Sequence, residues 1–190
     1  MANLLVVAFF LLAGFAIPVA SAEELTGDYQ YSFGSNSYPT GFPPTKSISY
    51  HCNSLILYSG GGILTADLTC NKLRLQAYGS SIFQGAVSNV DISLANGRSK
   101  VDMNALSIET LHIGLINDRS VVYVKVSNSA QVDSINGAGI LYIGAADDAS
   151  NTPQVQIKMV NHNSEVHWCG VNVKTGSVID GGSVVEDCNW

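Results

Sequence analysis

Residues 52–75 read CNSLILYSGGGILTADLTCNKLRL, a stretch that holds two matching phrases, CNSLIL from Cys52 and CNKLRL from Cys70. A chain that returns to the same phrase is either reversing in hairpins or winding in coils. The two cysteines favour winding. In a coil of parallel, in-register strands, equivalent residues of successive turns lie about 4.8 Å apart, at the lower end of the Cα separation that a disulfide accepts. Cys169 and Cys188 have a similar separation in sequence. Four cysteines allow three pairings; the expectation here is Cys52 with Cys70 and Cys169 with Cys188. Zinc ligand pairs usually stand closer together, so these spacings do not suggest a metal site.

Working outward, the same unit recurs along the chain: LILYSGGGILTA, LRLQAYGSSIFQG, VDISLANGRSKVDM, LHIGLINDRSVVYV, QVDSINGAGILYI and VQIKMVNHNSEVHW. Its corners fall near Gly60, Tyr78, Asn96, Asn117, Asn136 and Asn161, a period of roughly 20 residues that marks a solenoid. The last interval absorbs the polar insertion AADDASNTP. Each unit carries alternating strands, such as Val90-x-Ile92-x-Leu94 before the corner and Val122-x-Val124 after it. Period-two alternation places the apolar set on one face. Asn-Gly, Asn-Asp and Asn-His pairs tolerate the left-handed backbone that a sharp corner needs. Gly137, Gly139 and Gly144 do not make a phosphate loop, because no helix follows them. The pattern predicts an all-β, single-domain parallel β-solenoid of about six coils over residues 51–190. Antiparallel hairpins joined by Asn-Gly turns and closing as a β-sandwich are the alternative.

An apolar run ending at Ala20-Ser21-Ala22 reads as a secretory signal peptide over residues 1–22. Four cysteines suit the oxidising compartment to which such a leader would send the chain. No other stretch is long and apolar enough to span a bilayer, so no membrane span is expected in the mature chain. What remains can form one core and not two. Residues 23–50, rich in Tyr and Pro, are expected to form a cap. The net charge is −6 and only 13% of residues are charged. With no basic cluster to hold phosphates, nucleic acid is not an expected partner.

The run from KLRLQAYGSSIFQG to SINGAGILYIGA, and Ile135–Gly144 most of all, resembles the head GIN domain of auto-transporter adhesins. In that family an alternating strand, a Gly-Ser-Gly corner and a second strand recur. The resemblance covers residues 50–170 and implies a β-helix-like fold with a cell-surface, adhesive role; the family brings no established catalytic set to carry over. Asn-based corners and added disulfides depart from the family pattern, so a partner specificity does not carry over.

Counting from each corner places Leu64, Phe83, Val101, Val122, Leu141 and Val166 in one inward column, with Ala66, Gly85, Met103, Val124, Ile143 and Trp168 two residues on. Between them Thr65, Gln84, Asp102, Tyr123, Tyr142 and His167 point outward. Tyr123, Tyr142 and His167 then stack on neighbouring coils as candidate ligand-binding residues, since aromatic side chains with polar tips suit sugar rings. A flanking apolar column, Ile63, Ile82, Val121 and Ile140, is expected to lie under the cap. Before the corner, Arg74, Asp91, His112 and Asp133 form an outward column. Asp, His and Asp on successive coils invite a metal site or an acid/base pair, but surface charge ladders produce the same pattern. No Ser-His-Asp, Cys-His or H-E-x-x-H arrangement occurs. Ice binding is disfavoured because the regular Thr-x-Thr array it needs is missing.

The expected function is therefore that of a secreted, non-enzymatic adhesin-like or matrix protein, binding a glycan or a surface protein through one strand face. No catalytic residue, cofactor or metal is expected. The alternatives are a carbohydrate-active enzyme using Asp91, Asp102 or Asp133, and a purely structural coat component.

Overall fold

Hydrogen bonding between equivalent residues of successive coils organises this chain. The structure, a computed structural model, describes residues 27–34 and 45–190; the expected leader lies outside them. The strands are β1 (Asp28–Phe33), β2 (Thr45–Ser59), β3 (Ile63–Ala77), β4 (Ser80–Ala95), β5 (Lys100–Ile116) and β6 (Val121–Val126). They continue as β7 (Ser129–Ile135), β8 (Ile140–Ala145), β9 (Gln154–Val160), β10 (Glu165–Cys169), β11 (Asn172–Val178) and β12 (Ser183–Glu186). Every pairing among them is parallel. The chain is an all-β, single-domain solenoid of about seven turns, and the hairpin sandwich is excluded. β2, β3, β4, β5, β6–β7, β8–β9 and β10–β11 make these seven two-limbed turns, one more than the six read from the repeats, and β1 and β12 add a single limb at either end.

Each coil has two limbs joined by a bend. Along β3 the inward residues are Leu64, Ala66, Leu68 and Cys70; Asn71 and Lys72 are then both exposed, and Leu73, Leu75 and Ala77 turn inward again. That slip in the alternation is the bend. It lets one long strand line two sides of a single core, and β5 accordingly pairs with β6 through its first limb and β7 through its second. Fully burying each Leu, Ile, Val or Phe contributes roughly 1.5–3 kcal/mol. The cysteines fall in the expected places. Cys52 lies directly opposite Cys70, with Cα atoms 4.6 Å apart, and Cys169 bonds Cys188 at 5.0 Å.

Sharp corners return the second limb of one coil to the first limb of the next. Tyr78, Asn96, Asn117, Asn136 and Asn161 stack, each donating its backbone N–H to the carbonyl of Ser59, Ala77, Ala95, Ile116 or Ile135 one coil below. At the third of these, Asp118 and Arg119 have φ of 53° and 60°, and Ser120 N–H donates to the Asn117 carbonyl at 3.1 Å. Two left-handed residues closed by that bond make a type I′ turn. Asn136-Gly137 makes the same turn, with Gly137 and Ala138 at φ of 62° and 61° and Gly139 N–H donating to the Asn136 carbonyl at 3.1 Å, but the strand that follows pairs in parallel with β6 and does not reverse as in a hairpin.

Counting from corners misplaced one coil. Leu64 pairs with Ser81, not Phe83, and Phe83 instead pairs with Ala66. The cause is a shortened corner: only Gly79 separates Tyr78 from β4, and a Cβ there would collide with the Gly60 carbonyl. Ser81 therefore enters the core, where its hydroxyl donates to Ser59 Oγ at 2.7 Å. Ile82, not Gln84, joins the column of Thr65 and Asp102, and Ser80 replaces Ile82 in the flanking column. Two bulges absorb the remaining differences in period, one at Ser93 in β4 and one beside Asn104 in β5.

The tyrosine-rich segment extends the stack. β1 pairs with the second limb of β2, so Tyr29, Tyr31 and Phe33 sit over Leu55, Leu57 and Ser59. With Tyr50, whose ring lies 5.9 Å from that of Tyr29, they close the end of the core. They do not lie across the flanking column, and residues 35–44 fall outside the described ones.

Phe83→Ala is expected to lower stability by about 3–5 kcal/mol. Arg119→Gly should raise it by about 1 kcal/mol, the cost of holding an L-residue left-handed. Urea unfolding of both variants measures these values; a destabilised Arg119→Gly would show that this side chain, and not backbone strain, governs the corner.

Candidate functional site

The first limbs of successive coils carry the aromatic column. Tyr123 of β6 is in register with Tyr142 of β8, and Tyr142 with His167 of β10. Rung spacing in parallel strands nearly equals the stacking distance of rings. The Tyr123 and Tyr142 centroids are 4.7 Å apart with planes at 3°, and Tyr142 and His167 are 4.7 Å apart at 21°. Lys100 Nζ lies 5.3 Å from the Tyr123 centroid, within cation–π range. At the other end both His167 nitrogens meet carboxylates: Nε2 lies 3.1 Å from Glu165 and Nδ1 3.3 Å from Asp187.

Trp190 completes this cluster, and the sequence reading did not single it out. Its ring centroid is 5.6 Å from that of Tyr142, and its indole N–H donates to the Asp187 carbonyl at 2.8 Å. A Cβ on Gly144 would come within 3.1 Å of Trp190 Cη2, so the glycine makes room for the indole. The signal was its place two residues beyond Cys188, which the disulfide ties to β10. The Asn189 backbone N–H, ahead of its side chain and His167, holds the Asp187 carboxyl below its ordinary value. Burial, then the neighbouring Tyr123, Glu165 and Asp187, raises the Tyr142 phenol and keeps it neutral.

On the second limbs the charged column departs from expectation at one place. Arg74, Asp91 and His112 are in register, but the next partner of His112 is Gln131, with Asp133 two residues along. Period-two alternation cannot distinguish these two outward positions. His112 nevertheless bridges both carboxylates, Nδ1 to Asp91 Oδ1 and Nε2 to Asp133 Oδ2, each at 3.0 Å. Arg74 Nε lies 3.5 Å from Asp91, and Lys158 Nζ 2.7 Å from Asp133. Signs alternate along Arg74, Asp91, His112, Asp133 and Lys158, so each group is neutralised by its neighbours. Asp102 belongs to the first limb, in register with Tyr123, and does not join Asp91 and Asp133. Among the described residues no group of three or more His, Cys, Asp or Glu is placed to hold a metal ion. No helix among them is long and apolar enough to cross a membrane.

Burial opposes the imidazolium of His112, but its bonds to Asp133 and Asp91 outweigh this and raise its pKa above 6.5. Lys158, then His112, lowers Asp133 to about 2.

Comparison with protein-family models, with curated proteins and with solved structures returns no match to this chain.

Protonated His112 stabilises the fold, fully below its ordinary value of 6.5 and progressively less as pH rises through the raised one. With the imidazole 42% exposed, a contribution of about 0.2–1 kcal/mol is expected. His112→Ala should therefore lower the melting temperature more in mildly acidic than in mildly alkaline buffer. An equal loss in both would mean that packing, not charge, is what the imidazole supplies.

Proposed function

We propose that this chain is a secreted, disulfide-stapled binding module, adhesin-like in role, that engages a glycan or a surface or matrix protein without catalysing a reaction. The observation that carries this reading is the half-buried cluster of Tyr123, Tyr142, His167 and Trp190, held by in-register strands and a disulfide. Rigid aromatic side chains with polar tips lose little entropy on binding and combine apolar contact with hydrogen bonding. Both disulfides suit an oxidising compartment, and the apolar leader suits export. The adhesive role draws on the resemblance of Ile135–Gly144 to the GIN coil.

The geometry refines what a ligand would touch. Both faces of the Tyr142 ring are occupied by Tyr123 and His167, so its edge and hydroxyl are what it offers outward. A partner therefore meets a row of ring edges and hydroxyls flanked by Lys100, with Trp190 at one side.

A structural role is a second reading, favoured by one observation. In the last coil Val178, Ile179 and Val185 are 41%, 49% and 47% exposed, and among the described residues β11 and β12 each pair on one side only. Open sheet ends can join copies.

At least one array glycan or matrix protein should bind the mature chain and lose at least tenfold in affinity in both Tyr123→Ala and Trp190→Ala, with melting temperature as the control for folding. Polysaccharide turnover would replace this reading with the enzymatic one. Concentration-dependent association on sedimentation, without ligand binding, would favour the structural reading.

A further inference from the structure

The bends between limbs carry a polar edge that neither face uses. Asn53 Nδ2 donates to Asp28 at 3.0 Å, Asn71 Nδ2 to Asn53 Oδ1 at 3.2 Å, Asn89 Nδ2 to the Asn71 carbonyl at 3.3 Å, and Thr110 Oγ1 to Asn89 Oδ1 at 2.6 Å. Beside this ladder runs a trough of about 770 Å³. One wall is built by the insertion between β8 and β9, at the bend that Ser127 and Asn128 alone form in the coil before it. The insertion arches back across that coil: Ser107 Oγ of β5 donates to Asp148 Oδ2 at 3.3 Å, and Lys125 Nζ lies 3.2 Å from Asp147. Pro153 is buried at its foot.

The lining is unlike either face. It holds hydroxyls, amides and the two carboxylates Glu109 and Asp148 around the small apolar residues Cys70, Ala86 and Val87, with no Lys, Arg or aromatic residue. The side chains of Thr69, Ser88, Glu109, Asn128 and Thr152 make no hydrogen bond to any described residue, although their neighbours in the trough do. These groups come from five successive coils, a length of roughly 19 Å at about 4.8 Å per rung.

We propose that this trough binds a neutral oligosaccharide chain along the solenoid axis. Hydroxyls and amides both donate and accept, as sugar hydroxyls do, and Glu109 can accept from a pair of them. A phosphorylated or uronic ligand would meet uncompensated carboxylates. A peptide would find no apolar pocket for a large anchor, because Val87 on the floor is almost wholly buried and the exposed apolar side chain beside it is Ala86. The site shares with the proposed function only the expectation of a sugar partner, and it stands apart from the aromatic cluster.

The test is calorimetric titration of the mature chain with neutral gluco-, xylo- and manno-oligosaccharides of increasing length and with an oligo-uronate. Binding of at least one neutral series should strengthen with length and level off after several sugars, and the oligo-uronate should bind at least tenfold more weakly. Asn128→Ala and Glu109→Gln should each weaken binding at least tenfold, and Ser88→Tyr, which fills the trough, should abolish it. All three sites are solvent-facing, and unchanged melting confirms folding. Tyr123→Ala should leave this binding intact, which separates the trough from the aromatic face. No binding by any neutral series, tighter binding of the uronate, or binding lost in Tyr123→Ala but kept in the trough variants would overturn the proposal.

Discussion

The parallel, in-register hydrogen bond from each coil to the next is the constraint on which the rest of this molecule depends. It forces whatever stands at one column position to meet its equivalent about 4.8 Å away. Cys52 and Cys70 can bond because they share a column. Tyr123, Tyr142 and His167 stack for the same reason, and Arg74, Asp91 and His112 line up in charge. A column repeats its favourable contacts and its conflicts alike, so small residues recur where the backbone is crowded. Ser99, Ser120, Gly139 and Ser164 occupy one such position, at the exit of each corner. There a Cβ on Gly139 would already come within 2.9 Å of Ile116 Cγ2.

The repeat is irregular in length, and the solenoid absorbs this locally. Ser93 and the residues around Asn104 bulge outward, the Tyr78 corner loses residues, and the insertion after β8 leaves through a bend. Leu75 with Ile92 and Ala77 with Ala95 keep their inward rungs on either side of the Ser93 bulge, because hydrogen-bonded register resumes within one or two residues. Ser59 and Ser81 sit among aliphatic residues with their hydroxyls bonded to one another.

Much of the fold was legible in local patterns. Matching cysteine phrases indicated direction of winding, alternation indicated inward faces, and asparagines marked most corners. Register was less legible, for a physical reason: period-two alternation leaves positions two residues apart equivalent, so Phe83 and Asp133 were each assigned two places away from their true rung. Tertiary closure alone distinguishes such positions. The site was half visible. The tyrosine column followed from register within the regular coils, whereas Trp190 and the bend-side trough depend on chain that leaves the repeat and folds back, which no periodicity encodes.

That difference bears on where such a fold can bind anything. In a regular column each side chain is satisfied by its neighbours along the stack: the faces of Tyr142 by Tyr123 and His167, and the carboxylates of Asp91 and Asp133 by Arg74, His112 and Lys158. What a column has spent internally it cannot offer outward. Unspent donors and acceptors collect where the repeat is broken, beside the insertion over Thr69, Ser88 and Asn128. The regular faces give the molecule its stiffness and still present ring edges and hydroxyls, while the irregularities, Trp190 and the trough beside the insertion, leave more chemistry to use.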